Sequence, residues 1–284
     1  MARNLSAKKS NTIGLVLPKI SQFFLISVIE RIYKIAYENK YEIILLISHE
    51  DDDIERKNIK TLLAMKVDGI IICLTDKTKN YEVFNNVKRR GVHTIFIDRI
   101  PKLDKINSVE INYKNAISKA IDYAVKNGFK NFGYFSASVT TIFGHESIIG
   151  FNEAIKKHKL FVYHDWVVEG GLTEKFGYDE FNKLNESKNL PQVIITANYQ
   201  VALGVYIAAT EKKIRIPGDL EIITFCYNKN EKYNSFPFCF IDIPTEDIID
   251  ITMEQIFKNI NERGKIEYNK IVVEPELTDY KVNK

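Results

Sequence analysis

Short apolar runs alternate with longer amphipathic stretches along almost the whole chain. The segments Thr12–Leu17, Gly69–Cys73 and His93–Ile97 have the length and the β-branched content of buried strands. Phe24–Asn39 has apolar residues at helical spacing, and Asp51–Asp53 favour a helix start because the helix dipole stabilises negative charge there. Parallel strands need crossover connections, which are usually helices. The alternation therefore predicts a parallel sheet with helices on both faces.

The same alternation starts again after Ile111. A helix is expected over Tyr113–Asn127, with Gly128 as a residue suited to its C-terminal end, and strand–helix pairs continue to Phe225. The chain has 284 residues, enough for two domains that each bury a core. We predict an α/β fold of two doubly wound parallel-sheet units with a boundary near Ile111. Periodicity does not assign the elements after Phe238 to either half.

Charge and cysteine content exclude several classes of protein. The 40 Lys and Arg against 37 Asp and Glu give a net charge of +3, too small for a protein that coats nucleic acid. The 3 Cys are far apart and form no C-x-x-C pair, so we expect no disulfide scaffold, no metal and no cofactor. No apolar run approaches the roughly 18–20 residues of a membrane span, and Ile13–Leu17 is too short for a signal peptide. A cytoplasmic location is expected.

Residues that directly follow the predicted strands are the candidates for ligand binding, because open α/β sheets bind ligands beyond the carboxyl ends of their strands. They are Pro18–Phe24, Ser48–Glu50, Leu74–Thr75, Asp98–Arg99, Ser136–Ser138, Asn198–Tyr199 and Cys226–Tyr227.

Asp98–Arg99 is the sharpest signal in this set. A carboxylate beside a guanidinium can clasp vicinal hydroxyls or an anion, and an ordinary ion pair that closes the loop explains the pair equally well. Phe23 and Phe24 could stack on a sugar ring or a base, although a core position is commoner for such a pair.

The second half offers weaker candidates. Asn198 follows the run VIITA and starts a helix, which predicts an N-cap without excluding a ligand contact. Trp166 fits a ligand stack, a core position or a lid equally well. Cys226 could be a nucleophile, but no base is marked beside it, and a buried inert thiol is the stronger alternative. The chain has no nucleophile elbow, phosphate loop or G-x-G-x-x-G motif, so we predict that it is not an enzyme.

The order of segments resembles the LacI/GalR family of bacterial transcription regulators. The likeness covers the chain from about Ala2 to about Leu277 and is carried by SNTIGLVLPKISQFF, VDGIII, TIFIDR, Gly150–Phe151, VIITANYQVALGV and IRIPGDLEIITF. The resemblance implies a periplasmic-binding-protein-like type I fold: two α/β subdomains joined by three crossovers, with a ligand cleft between them. The expected parts are a hinge remnant over 1–10, an N-terminal subdomain over 11–111 plus about 238–264, and a C-terminal subdomain over 112–237 plus about 265–284.

The resemblance also implies a ligand-binding set. The aromatic pair and Asp98–Arg99 match family positions in the first half, the latter the pair that grips sugar hydroxyls. In the second half Ser147 stands where Arg is common, Tyr199 replaces an Asp, and Cys226 and Tyr227 stand in place of Asp-Asp. These replacements leave three alternatives: a typical pentose or hexose binds weakly, the effector carries fewer hydroxyl groups than such a sugar, or the cleft is vestigial. The expected ligand contacts are Phe23, Phe24, Asp98, Arg99, Ser147, Trp166, Asn198 and Cys226.

The function implied by this resemblance is that of the effector-binding and dimerisation core of a transcriptional regulator. A small molecule, a sugar or a derivative, would shift a homodimer between two states, and operator DNA would be read by a headpiece that this chain lacks. No membrane partner is expected. The alternative is the solute-binding protein of a transporter, which shares the fold but should carry a secretion signal or a lipoprotein Cys near its start.

Overall fold

The structure is a computed structural model that describes residues 9–19, 23–79, 81–227, 236–261 and 268–278; within them, the side chains of 23–27 are not described. The chain divides into two compact units. The first unit comprises Met1–Ile111 and Thr245–Val273, and the second comprises Asn112–Pro244 and Glu274–Lys284.

The elements follow the alternation that the sequence predicts. In chain order they are β1 (Thr12–Leu17), α1 (Phe23–Glu38), β2 (Glu42–Ile47), α2 (Asp52–Met65), β3 (Gly69–Ile72), α3 (Glu82–Arg89), β4 (His93–Ile97), β5 (Asn107–Ile111), α4 (Tyr113–Lys126), β6 (Phe132–Ala137), α5 (Ile142–Lys157), β7 (Val167–Gly170), α6 (Glu174–Glu186), β8 (Val193–Thr196), α7 (Tyr199–Glu211), β9 (Glu221–Tyr227), β10 (Cys239–Ile243), α8 (Thr245–Asn261), β11 (Lys270–Val273) and β12 (Glu276–Thr278). A short 3₁₀ helix, His164–Trp166, precedes β7.

The first unit is built on a parallel sheet with the strand order β11-β5-β4-β3-β1-β2. One face packs against α2 and α3 through a core that contains Val16, Ile59, Ile70 and Phe96. Helix α2 lies close to β1 because Gly14 has no side chain. A Cβ built on Gly14 would lie 2.4 Å from a methyl carbon of Leu62, well inside van der Waals contact.

The second unit has the strand order β12-β10-β9-β8-β6-β7, parallel except for β12, which runs antiparallel to β10. Helices α6 and α7 cover one face and touch through their backbones. A Cβ on Gly177 would lie 2.1 Å from the carbonyl oxygen of Val201, and one on Gly204 would lie 2.0 Å from that of Glu174. The two glycines therefore set this close helix pair.

The last strands differ from the expected domain boundaries. Residues 238–264 were expected in the first half and 265–284 in the second. Strand β10 instead pairs with β9 in the second sheet, with Ile241 opposite Phe225. Strand β11 pairs with β5 in the first sheet, with Ile271 opposite Val109. Of residues 238–264, only α8 lies in the first unit as expected. The two strands differ because the partner of a short strand is determined by long-range pairing, which periodicity does not encode.

The predicted fold class is confirmed: two parallel-sheet α/β units, between which the chain passes after Ile111, Pro244 and Val273. Within the described segments no helix is long and apolar enough to cross a membrane.

Candidate functional site

In the first unit, the turns that follow strands β2 and β4 contain residues with positive φ angles. His49 and Glu50, directly after β2, have φ values of 51° and 55°, and Asp98, directly after β4, has a φ of 58°. Side chains other than glycine rarely adopt this left-handed conformation, and when they do they tend to cluster at functional sites. The amide of Arg99 donates to the carbonyl oxygen of Ile97 at 2.6 Å, which makes the turn at Asp98 very tight.

Arg99 is held at this edge through one of its nitrogens. Nη1 lies 2.9 Å from Oε1 of Glu50, 3.1 Å from Oδ2 of Asp76 and 3.4 Å from the carbonyl oxygen of Leu74. Among the residues that the structure describes, neither Nε nor Nη2 has a hydrogen-bond partner. The guanidinium is therefore anchored on one side, and its other donors are available to a bound molecule.

The arginine and its partners are largely removed from water. The side chains of Arg99, Glu50 and Asp76 are 14%, 15% and 19% exposed. Burial by itself would lower the pKa of Arg99, but the nearby carboxylates of Asp98, Asp76 and Glu50 outweigh it and raise that pKa. Arg99 thus stays charged, and it forms ion pairs with Glu50 and Asp76, which the sequence did not predict.

The loop after β3, which carries Asp76, is held by two carboxyl groups. The amide of Thr75 donates to Oε2 of Glu55 at 2.8 Å, and Oγ1 of Thr78 donates to Oε1 of Glu55 at 2.8 Å. The next amide, of Asp76, donates to Oε2 of Glu50 at 3.0 Å. Glu55 is completely buried, and this burial raises its pKa to about 7. Glu50 and Glu55 together position Asp76 against Arg99.

Two small polar side chains complete this edge. Cys73 is buried with its Sγ 4.0 Å from Oδ2 of Asp98, and burial raises the pKa of the thiol, so it stays protonated and unreactive. Ser48, at the end of β2, is also buried, and its Oγ has no hydrogen-bond partner within the described part of the chain. A buried hydroxyl without a partner is uncommon and calls for an explanation such as a water or ligand.

The corresponding edge of the second unit contains a cluster of aromatic rings. The ring of Phe143, in the first turn of α5, lies 4.8 Å from that of Tyr113 and 5.1 Å from that of Phe225, both in edge-to-face geometry. The hydroxyls of Tyr113 and Tyr227 are 3.5 Å apart. Such ring pairs add stability beyond the apolar area they bury. This cluster was missed from the sequence, because its members lie on three separate elements.

Asn198 has the capping role that its position predicts. Its Oδ1 accepts from the amide of Val201 at 2.9 Å, and its Nδ2 donates to the carbonyl oxygen of Leu172 at 3.1 Å. The side chain therefore starts α7 and ties it to the loop after β7. A ligand contact of Asn198 stays a prediction.

Ser147 lies inside the second unit. It is buried, accepts a hydrogen bond from the hydroxyl of Tyr134 at 2.7 Å and donates to the carbonyl oxygen of Phe143 at 2.6 Å. Burial raises the pKa of Tyr134 to about 12, so the phenol stays a donor. We correct the expectation of a ligand contact here: without the side chain of an Arg, this position fills the core.

Two further expected ligand contacts are also corrected. Trp166 precedes β7, at the amino end of the strand, where its buried Nε1 donates to the carbonyl oxygen of Asn189 at 2.8 Å. Its ring packs against that of Tyr163, so it is a core residue on the opposite edge of the sheet. Cys226 is buried in the core on the α6–α7 side of β9. This position agrees with the alternative prediction of a buried thiol.

Phe23 and Phe24 form the first turn of α1, and their side chains lie outside the described part of the structure. Within the part that is described, no group of three His, Cys, Asp or Glu could hold a metal ion.

A family described as "Periplasmic binding proteins and sugar binding domain of LacI family" matches residues 10–256. The chain belongs to this family.

Individual relatives agree with this assignment. Catabolite control protein A of Priestia megaterium is 31% identical over 226 residues, which are 79% of this chain and 68% of that protein. The HTH-type transcriptional repressor PurR of Histophilus somni (strain 2336) is 22% identical over 277 residues, 98% of this chain and 83% of that protein. Among solved structures, the lac repressor dimer bound to operator and the anti-inducer ONPF has a TM-score of 0.84 at 16% identity, over 98% of this chain and 96% of that chain.

These matches confirm the function predicted from the sequence: the chain is the effector-binding domain of a LacI-type transcription regulator. Relatives that match over most of the chain are transcription regulators, which favours this function over that of a transporter's solute-binding protein.

Proposed function

We propose that the chain senses a small hydroxylated molecule, a sugar or a sugar derivative, and that its binding changes the operator affinity of a homodimer. The protein would act in the cytoplasm, where operator DNA lies. The DNA-reading part is expected to be a helix-turn-helix headpiece of the kind that the family carries.

The observation that carries this proposal is the geometry of Asp98 and Arg99. Arg99 is fixed by Glu50 and Asp76 through Nη1, which leaves Nε and Nη2 as donors whose direction is already set. Asp98 lies directly before it, in a turn with a positive φ. A preorganised donor and acceptor pair loses little conformational entropy when a ligand binds, which favours recognition of hydroxyl groups.

The proposed activity needs no covalent chemistry. Burial raises the pKa of Cys73, and Cys226 lies in the core, so neither thiol is placed as a nucleophile. A ligand can shift an equilibrium between two conformations only by the difference in its affinity for them. A coupling of about 1–3 kcal/mol would change operator affinity roughly 5–150-fold.

A thermal-shift screen of sugars, sugar derivatives and nucleosides tests the proposal. A ligand at a hundred times its dissociation constant adds about 2.7 kcal/mol to the free energy of unfolding, which is easily measured. Asp98→Asn keeps a residue that tolerates positive φ and removes the charge, so it should weaken binding by at least about tenfold without unfolding the protein.

The matched control is Asp165→Asn. Asp165 is an exposed residue of the second unit, in the short helix His164–Trp166 that precedes β7. An undiminished shift in Asp98→Asn would remove Asp98 from the binding site. Operator affinity of the native gene product, measured with and without the ligand found, then tests the switch; no change would contradict it.

A further inference from the structure

We infer that the first unit carries a second binding site at the amino ends of its strands, and that this site takes a small aromatic anion, a ring that carries one carboxylate or phosphate group. The site consists of an apolar cavity and a basic groove that meet at the start of β4. It lies at the edge of the sheet opposite to Asp98 and Arg99, which follow the end of β4. The inference therefore does not depend on the proposed sugar-type effector.

The apolar cavity lies between α3, the start of β4 and the loop before β5. It has a volume of about 80 Å³, and its walls include Phe84, Phe96, Leu103 and Ile106. This volume is several times the space that one water molecule needs. The ring centroids of Phe84 and Phe96 are 5.1 Å apart in edge-to-face geometry, and both rings belong to the core of this face. Because core packing already holds these walls, an apolar ring can enter with little reorganisation.

The basic groove continues from the apolar cavity, because Val92 and His93 line both. It has a volume of about 740 Å³ and is lined by the cations Lys9, Lys66 and Arg90. Among the residues that the structure describes, the side chains of Lys66 and Arg90 form no ion pair and no hydrogen bond. Their charges are therefore available to an anion whose ring fills the neighbouring cavity.

Carboxylates do not cancel this positive charge. In the groove, Asp68 accepts from the amide of Ser10 at 2.8 Å, from its hydroxyl at 3.0 Å and from the amide of Asn11 at 2.8 Å. Asp68 thus holds the start of the described chain through backbone and hydroxyl donors, and no lysine or arginine is used to bind it. The charged side chains that line the apolar cavity are Lys88, Asp104 and Lys105. Cations therefore outnumber carboxylates in the described lining of both cavities.

The two cations of the groove also have a structural role. Lys66 and Arg90 directly follow α2 and α3, and the dipole of a helix favours a positive charge at its C-terminal end. This role explains one cation at each helix end. It does not explain why Lys9 joins them, or why the groove opens onto an apolar cavity.

His93, where the two cavities meet, provides independent evidence for a ligand. Its Nδ1 is buried and has no hydrogen-bond partner within the described part of the chain. Such an atom is uncommon and calls for a ligand or a water. Burial lowers the pKa of His93, so the ring is neutral at pH 7 and carries one N–H. Because no hydrogen bond holds the ring, it can turn this N–H toward an oxygen of an anion in the groove.

The experiment compares two whole probes with their parts. Phenyl phosphate is compared with phenol and with inorganic phosphate, and phenylacetate with phenylacetamide and with acetate. Binding to the whole chain is measured by isothermal titration calorimetry in a buffer without other phosphate or carboxylate ions. At least one whole probe should bind at least about tenfold more tightly than either of its parts, because only the whole probe occupies the cavity and the groove together.

The outcomes are decisive for the inference alone. The tighter of the two whole probes identifies the anionic group that the site prefers. If neither whole probe binds at millimolar concentrations, or if each binds no better than its parts, the inference is wrong. The proposed sugar-type function stands or falls by its own screen in either case.

Charge variants test the basic groove. Lys66→Gln with Arg90→Gln removes the two cations without partners, so the preference for the charged probe over its neutral part should fall to about threefold or less. The matched control, Lys57→Gln with Lys60→Gln, removes the same charge from exposed positions of α2 that line neither cavity, and it should keep the wild-type preference. An unchanged preference in Lys66→Gln with Arg90→Gln would overturn the inference.

A second pair of variants tests the apolar cavity. Leu103→Trp places a larger ring inside it and should weaken binding of the whole probe at least about tenfold. Asn85→Trp, at an exposed lining position of α3, blocks the same cavity with less risk to folding and should have the same effect. Wild-type affinity in both variants, each shown by circular dichroism to be folded, would place the probe elsewhere and contradict the assignment of this site.

Discussion

The strand-carboxyl edges of the two units share a topology and differ in chemistry. In the first unit the loops after β2, β3 and β4 are tied together by charged groups, with Glu50 and Asp76 on Arg99. In the second unit the corresponding edge contains a cluster of neutral rings, with Phe143 between Tyr113 and Phe225. The loops at the first edge are therefore held in place by charged groups, and the ring cluster at the second edge is held in place by packing.

This difference predicts separate responses to pH and to mutation. The contribution of ion pairs and buried carboxyl groups to stability changes with pH, whereas the contribution of aromatic packing does not. The single tryptophan, Trp166, lies in the core of the second unit, so its fluorescence reports the unfolding of that unit, while far-UV circular dichroism reports both. The two units can be compared in one urea titration, without assuming that they unfold together.

The largest effect is expected at Arg99. In Arg99→Met, Glu50 and Asp76 keep their charges in a poorly hydrated place and lose their cation. Removing one partner of a mostly buried ion pair costs several kcal/mol, and we expect the first unit to lose about 3–4 kcal/mol of its free energy of unfolding. Urea unfolding followed by circular dichroism measures this loss.

The control for this prediction also removes the two carboxylates that pair with Arg99. Glu50→Gln and Asp76→Asn, added to Arg99→Met, leave neither partner of Arg99 charged, so at least half of the lost stability should return. If the triple variant is as unstable as Arg99→Met, the stability is lost because the packing of the Arg99 side chain is lost, and the prediction based on its charge is wrong.

The next effect concerns pH and Glu55, whose pKa burial raises from 4.5 to about 7. Because the folded state holds this proton more tightly than the unfolded state, the stability it contributes is complete below pH 4.5 and is lost as pH rises through 7. Glu55→Gln keeps the side-chain shape and cannot titrate. From pH 5 to pH 8 the variant should gain about 2–3 kcal/mol relative to wild type.

Urea titrations at four pH values between 5 and 8 measure this relative gain. Parallel pH profiles of the two proteins would show that Glu55 does not titrate in this range. The transition reported by Trp166, in the other unit, provides the internal control, since it should not respond to the substitution at Glu55.

The aromatic edge should respond in the opposite manner. Phe143→Ala removes two edge-to-face ring contacts from a half-buried side chain and should cost the second unit about 2 kcal/mol. The cost should be the same at pH 5 and pH 8 and at low and high salt. Trp166 fluorescence during urea unfolding measures this loss of stability directly. A loss that changes with pH would show that the two edges are not chemically distinct.

The sequence predicts the fold well because its information is local. Strands such as His93–Ile97 and helix starts such as Asn198 are marked by residue type and spacing within a few positions. The assignment of β10 and β11 to sheets was wrong because strand pairing is decided by contacts more than a hundred residues apart in the case of β11 and β5.

The candidate site was predicted only in part for a related reason. Asp98–Arg99 was identified from two adjacent residues, but the acidic partners of Arg99 are Glu50 and Asp76, 49 and 23 positions away. Glu50 was within the segments that follow the strands, yet nothing in its local sequence marks it as a partner of Arg99. Trp166 was misplaced because a residue type suited to stacking says nothing about which end of a strand it occupies.

The smallest effect separates the two roles considered for Asn198. Its amide already caps α7 and bonds the carbonyl oxygen of Leu172, so Asn198→Ala should cost the second unit about 1 kcal/mol, the usual value of an N-cap. Asn198→Asp keeps the cap acceptor and should recover most of that loss, while it removes the donor. If Asn198 only caps, the dissociation constant of a ligand from the screen should be within about threefold of wild type in Asn198→Asp, and we expect this result because the donor already has a partner. A much larger loss of affinity, at unchanged stability, would instead place Asn198 in contact with the ligand and give the second edge a polar anchor of its own.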